Sequence, residues 1–160
     1  MSDPPYQYAI ALGSNRAHGR HGRPEGVLRA AVEALGALGT VERASAIHRT
    51  AAMGPAGRSF ANAAVILRTE LAPPALLAEL KAIERRFGRR PGRRWGPRVL
   101  DLDIILWSGG KWRGPRLSIP HPALAGRAFV LRPLAEIAAA WPAPGSGRAV
   151  RHLAFRIERG

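Results

Sequence analysis

Apolar residues follow two rhythms along this chain. The run Tyr8-Ala9-Ile10-Ala11-Leu12 is continuous and stops at Gly13-Ser14-Asn15, which predicts a short buried strand closed by a turn. Arg16 to Arg23 has no period and reads as a loop. From Pro24, a suitable first helical residue, Val27, Leu28, Ala31, Val32, Leu35 and Leu38 recur at helical spacing until Gly39. Val41 to Arg49 carries little helix signal, whereas Ala63 to Leu67 is strand-like, and Thr50 to Ser59 between them is a Gly- and Pro-bearing loop. Pro73 and Pro74 open a second helix with Leu76, Leu77, Leu80, Ile83 and Phe87 on its inner face and Gly88 as its stop.

The strongest strand pattern is Val99 to Trp107, with Leu100, Leu102, Ile104 and Leu106 on one side and Asp101, Asp103 and Ile105 on the other, followed by the turn Ser108-Gly109-Gly110. Lys111 to Leu117 is a candidate returning strand. A broken helix is expected from about Arg127 to Ala140, interrupted near Pro133. Trp141 to Gly160 is weakly patterned. Strand, helix, strand, strand, helix, strand is the ferredoxin-like βαββαβ order, an α+β sandwich with an antiparallel sheet, here with an additional C-terminal helix. Both main helices should share one face, leaving the other for ligands beneath the loops Thr50 to Ser59 and Gly88 to Trp95.

The 160 residues, 46% of them hydrophobic, suit one domain spanning residues 1–160. Without Cys, disulfides and thiolate metal sites are excluded. No apolar run approaches the roughly 20 residues of a membrane span, and Met1 to Pro5 is too short and polar for a signal peptide, so a cytoplasmic protein with no membrane partner is expected. The net charge of +14, carried by Arg at every basic position but Lys81 and Lys111, marks an anion binder. A duplex nucleic acid, a membrane surface and a polyphosphate ligand all satisfy that charge, so the sum alone does not choose among them. An RNA-binding sheet of this topology should show the K/R-G-F/Y-G/A-F-V-x-F/Y pattern on a strand, and none occurs.

Only three residues are Asp, and two of them, Asp101 and Asp103, stand two apart on the best strand. They therefore point to the same side, roughly 6.5 Å apart along the chain. Hard divalent cations seek such oxygens, and Mg²⁺ is commonly held by one or two carboxylates plus substrate phosphates; the alternative is a pair of salt bridges to Arg98 or Arg94. Arg98 suits bidentate phosphate contact. Trp95 fits a core position or a lid, and His121, in Ser118-Ile119-Pro120-His121-Pro122, fits a hydrogen-bonded structural histidine or a phosphate ligand.

The string Arg94-Trp95-Gly96-Pro97-Arg98-Val99-Leu100-Asp101-Leu102-Asp103-Ile104 resembles the long signature R-W-G-P-R-x-x-D-x-D-[IL] of the 6-hydroxymethyl-7,8-dihydropterin pyrophosphokinase family. Ala11 to Asn15, Phe60 to Ala64, and Ile119-Pro120-His121 with Arg127 and Phe129 agree in order, over roughly Tyr8 to Ile137. The resemblance implies transfer of pyrophosphate from ATP to the hydroxymethyl oxygen of the dihydropterin, in folate biosynthesis, by a monomer that needs no nucleic acid. It implies two Mg²⁺ ions on Asp101 and Asp103, with Arg89 and Arg98 on the phosphates. The nucleotide side would comprise Lys81, Glu84, the Ile104 backbone, Arg116, Ser118, His121 and Arg127. The pterin would lie between Phe60 and Phe129, read by Asn62, by backbone near Thr50 and Met53, and flanked by Trp95 and Asp101. Four positions depart from the family pattern: Ala51-Ala52 for Pro, Phe60 for Tyr, Pro122 for an aromatic, and Pro91 for a second loop arginine that Arg90 or Arg93 would have to replace. No general base stands out, Asp103 being one candidate.

Overall fold

The computed structural model describes residues 4–15, 21–50, 60–88 and 99–159. Along the chain the elements are β1 (Tyr6–Ser14), α1 (Pro24–Gly36), β2 (Thr40–Ala44), β3 (His48–Thr50), β4 (Phe60–Thr69), α2 (Pro73–Arg86) and β5 (Asp101–Trp107). They continue with β6 (Trp112–Arg113), β7 (Ser118–Ile119), α3 (Ala128–Ala138), β8 (Pro142–Ala143), β9 (Arg148–Ala149) and α4 (Val150–Arg159). The main sheet runs β2-β4-β1-β5, with β3 also on β4, and every pairing is antiparallel.

Strands β2 and β3 are two pieces of one edge. Ala44 lies opposite Val65 and His48 opposite Asn62, so Ser45, Ala46 and Ile47 stand against only two residues of β4. The Ser45 hydroxyl repairs the ladder there, accepting the Ala64 N–H at 2.9 Å while the Ser45 N–H donates to the Ala64 carbonyl at 2.9 Å. Counted as one strand, β2 and β3 restore the expected ferredoxin-like order.

Both proline-led helices cover one face, where Leu28, Leu35, Leu76, Leu80 and Ile83 pack on Tyr8, Ile10, Leu12, Val65, Leu67 and Leu102. Gly88 ends the second helical segment with φ +96, a conformation that glycine adopts without a Cβ clash. The opposite face is not left open as expected. Helices α3 and α4 cover one end of it, setting Val130, Leu131, Leu134, Val150 and Leu153 against Ala9, Ala11, Ala64, Ile66, Ile105 and Leu106. The weakly patterned C-terminus hid part of this layer because α4 mixes apolar and polar residues in equal number and buries only a narrow stripe of them.

Two further expectations are corrected. Leu106 does not share a side with Leu100, Leu102 and Ile104, because pairing steps from Ile10–Ile104 to Ala9–Leu106. The bulge at Ile105 reverses the alternation and sends Ile105 and Leu106 together to the second core. Helix α3 also runs unbroken through Pro133. The lost N–H costs one intrahelical bond, and burial of Leu131, Pro133 and Leu134 outweighs it. The candidate strand at Lys111 to Leu117 resolves into the β6–β7 hairpin, fixed to β5 by an edge-on Trp107–Trp112 contact with centroids 5.8 Å apart. Among the described residues no helix is long and apolar enough to cross a membrane.

The second core carries real stability, since Leu131 is fully buried. Leu131→Ala should lower unfolding free energy by about 2–5 kcal/mol through lost burial and a cavity; a urea midpoint unchanged from wild type would show α3 to be a loose appendage.

Candidate functional site

Residues directly opposite one another in an antiparallel pair project from the same face. The register therefore builds two rows on the face that α3 and α4 only partly cover. One row is His48, Asn62, Gly13 and Asp101; the next is Ala64, Ala11 and Asp103. Small residues occupy the central strand in both rows. With strands about 4.8 Å apart, the backbones of Asn62 and Asp101 stand roughly 10 Å from each other across Gly13. A Cβ on Gly13 would meet Asn62 Oδ1 at 3.2 Å, so the glycine lets the buried amide lie close over β1. The floor is thus shallow in the middle, amide on one flank and carboxylate on the other.

Apolar and cationic groups rim this floor. Phe60, two residues before Asn62 on β4, belongs to the same face and is 44% exposed. Phe129, in the first turn of α3, is 48% exposed and lies beside the Arg127 guanidinium, 5.7 Å from the ring centroid. Among the described residues Phe60, Phe129 and Phe155 are the large hydrophobics exposed to this degree, and the first two belong to elements on the face that also carries the paired aspartates. His121 follows β7 and is tied to β5 by its N–H, which donates to the Ile105 carbonyl at 3.1 Å. Its Nδ1 accepts the Ala123 N–H at 3.1 Å, so the neutral ring carries its proton on Nε2. Burial pushes the imidazole below its ordinary value of 6.5; the Asp103 charge opposes that shift and Arg127 reinforces it.

The outer edge of β5 is organised from α2 and β7. Glu84 is buried, and its Oε2 accepts the N–H of Leu102, the residue between the two aspartates, at 2.8 Å; Lys81 Nζ approaches its other oxygen at 3.4 Å. This puts Glu84 in the seam between α2 and β5, where it acts on the strand. The Ile104 side chain packs into the helix-side core, and by the two-residue repeat its backbone polar groups share the outer edge with those of Leu102. Arg116 and Ser118 are exposed on the β6–β7 hairpin alongside.

Asp101, Asp103, Asn62, Phe60, His121, Arg127 and Phe129 are thus brought to one side of the sheet. Arg89, Arg98, Trp95 and Met53 lie outside the described residues, as does the side chain of Thr50, whose backbone pairs with Phe60 on β4. Among the described residues no group of three or more His, Asp or Glu forms a metal cage. Two carboxylates on one face are what a hard cation shared with phosphate oxygens requires of the protein, so the donor set fits such an ion. Sequence reading missed His48, Glu136 and the spacing role of Gly13. Each depends on the cross-strand register, which local patterning does not reveal.

Residues 9–139 match the family model described as 7,8-dihydro-6-hydroxymethylpterin-pyrophosphokinase (HPPK). The chain is 46% identical over 118 residues to a 2-amino-4-hydroxy-6-hydroxymethyldihydropteridine pyrophosphokinase of Synechocystis, covering 74% of this chain and 60% of that protein. It is 44% identical over 133 residues to the enzyme of the same name from Methylorubrum extorquens, covering 81% of this chain and 80% of the relative. A crystal structure of an HPPK-DHPS in complex with substrates shares the fold with a TM-score of 0.75 at 12% identity, over 96% of this chain and 45% of that one. The HPPK-DHPS of Plasmodium falciparum does so at 0.73, over 97% and 45%. With a signature on β5, aromatics at the rim and a family match across most of its length, the chain belongs to the 7,8-dihydro-6-hydroxymethylpterin-pyrophosphokinase family.

Proposed function

We propose that this chain transfers pyrophosphate from ATP to the hydroxymethyl oxygen of 6-hydroxymethyl-7,8-dihydropterin, releasing AMP, as a cytoplasmic monomer. The observation that carries the reading is the row Asn62–Gly13–Asp101 lying beside Ala11–Asp103. A flat, polar-edged ring has an amide partner at one flank, and two carboxylates stand a strand or two away for the reacting groups.

Asn62 presents one donor and one acceptor to the amide edge of the pterin, and Phe60 and Phe129 supply ring faces, each worth about 0.5 to 1.5 kcal/mol beyond area burial. A ring without the matching edge would leave those polar groups buried and unpaired, which is the basis of selectivity. Asp101 and Asp103 would hold two Mg²⁺ ions, which when bound neutralise the triphosphate and align its β-phosphorus with the incoming hydroxyl. Arg127, Arg116 and the Nε2–H of His121 contact phosphate or ribose oxygens, and the outer edge of β5 at Ile104 offers backbone groups to adenine. Arg89 and Arg98 are assigned to the phosphates. Through a loose transition state, positioning and neutralisation supply most of the acceleration, so a strong base is not required.

Three tests follow from these roles. Asp101→Ala and Asp103→Ala should each cut Mg²⁺-dependent AMP formation at least about a hundredfold with an unchanged unfolding midpoint; wild-type turnover in either variant removes the metal role. Phe129→Ala should raise the KM for the dihydropterin about tenfold while leaving ATP binding within twofold, and equal losses would contradict ring stacking. An anion at Nε2 favours the imidazolium, so inorganic tripolyphosphate without Mg²⁺ should raise the His121 pKa from its depressed value. Its binding should consequently tighten as pH falls from 6.5 toward the pKa of the free protein. An NMR titration of the His121 ring that is indifferent to tripolyphosphate would take His121 off the nucleotide side.

A further inference from the structure

The break in the edge strand between β2 and β3 leaves backbone groups to be satisfied at Ser45, Ala46 and Ile47. Ser45 satisfies part of the ladder through Ala64. Ala46 is satisfied from elsewhere: its N–H donates to Oε1 of Glu136, on α3, at 3.0 Å. The second oxygen of the same carboxylate contacts Nε2 of His48, the first residue of β3. One side chain from α3 thus grips the middle of the break and the first residue of β3.

This grip joins the two walls of the pterin end of the site. Helix α3 carries Phe129 in its first turn, and β3 lies beside β4 with His48 opposite Asn62 and Thr50 opposite Phe60. Bulges and breaks re-aim the strand that follows them, so an edge piece of three residues needs an external hold to keep its register. We infer that Glu136 is a positioning residue for pterin recognition, latching β3 to α3 so that the strand flanking Asn62 and Phe60 keeps a fixed distance from the helix bearing Phe129. The inference rests on the proposed pterin site.

The latch is partly exposed, with side-chain exposures of 32% for His48 and 40% for Glu136, so its strength is that of a surface pair reinforced by one charge-assisted backbone bond. A positioning contact cannot alter ligand affinity by more than its own strength, and a partly exposed one transmits only part of it, so the expected effect is about three- to tenfold. Glu136→Ala should raise the KM for 6-hydroxymethyl-7,8-dihydropterin about three- to tenfold, with the KM for ATP and kcat within twofold, and should speed amide exchange at Ala46. Glu136→Gln keeps a carbonyl oxygen for the Ala46 N–H and should restore the KM to within about twofold of wild type. His48→Phe keeps a ring opposite Asn62 while removing the contact with Glu136; it should raise the pterin KM without touching that for ATP, and it stands as the test should the alanine variant fail to fold. Unchanged pterin KM, or equal losses for both substrates, overturns the inference. A hundredfold loss overturns it too, because it would mean direct contact with substrate. Wild-type protein that forms no pterin-dependent AMP would instead defeat the proposed reaction, an outcome distinct from a wild type that turns over and a Glu136→Ala variant that matches it.

Discussion

Everything at this site follows from one constraint of antiparallel pairing: residues directly opposite on neighbouring strands must share a face. The register that sets Gly13 between Asn62 and Asp101, and Ala11 between Ala64 and Asp103, converts three separated stretches of sequence into one surface. A slip of one residue in either pairing would turn Asn62 or the aspartates into the core beneath α1 and α2. The register is held by burial on that core side, where Tyr8, Ile10, Leu12, Val65 and Leu102 leave no water-accessible alternative. Core packing and site geometry are therefore the same fact seen from two sides of a sheet.

The other face divides its labour along the strands. Ala9, Ala64 and Ile66 with Ile105 and Leu106 meet α3 and α4, while Gly13, Asn62 and Asp101 extend beyond those helices. The bulge at Ile105 contributes to this division by directing two successive apolar side chains into the second core. Helix α3 belongs to both regions: Leu131 and Leu134 anchor it, Phe129 stands exposed in its first turn, and Glu136 reaches Ala46 and His48. His121 and Arg127 come from the segment that leads into it, which explains why the charges of Arg127 and Asp103 both bear on the His121 ring.

Strong local periodicity made most of the fold legible. The prolines at 24 and 73 and the helical spacing of apolar residues located α1 and α2, and the alternation around Asp101 and Asp103 located β5. The Asp pair needed only the two-residue repeat of a strand. What escaped were features whose cause lies elsewhere in the chain. Leu106 fits an alternating pattern until its partner strand introduces a bulge, and Pro133 looks like a helix breaker until the core on either side is known. His48 and Glu136 carry no pattern at all, being 88 residues apart in sequence and joined only by the tertiary fold.

The treatment of β5 has a consequence for how molecules of this protein meet one another. As the terminal strand of its sheet it would ordinarily invite strand addition from a second chain, the first step of edge-to-edge aggregation. Glu84 occupies the amide of Leu102 and His121 occupies the carbonyl of Ile105, so an incoming peptide finds its hydrogen-bonding partners already engaged on both sides of Ile104. A border closed in this way does not offer an incoming extended polypeptide the free ladder that strand addition needs.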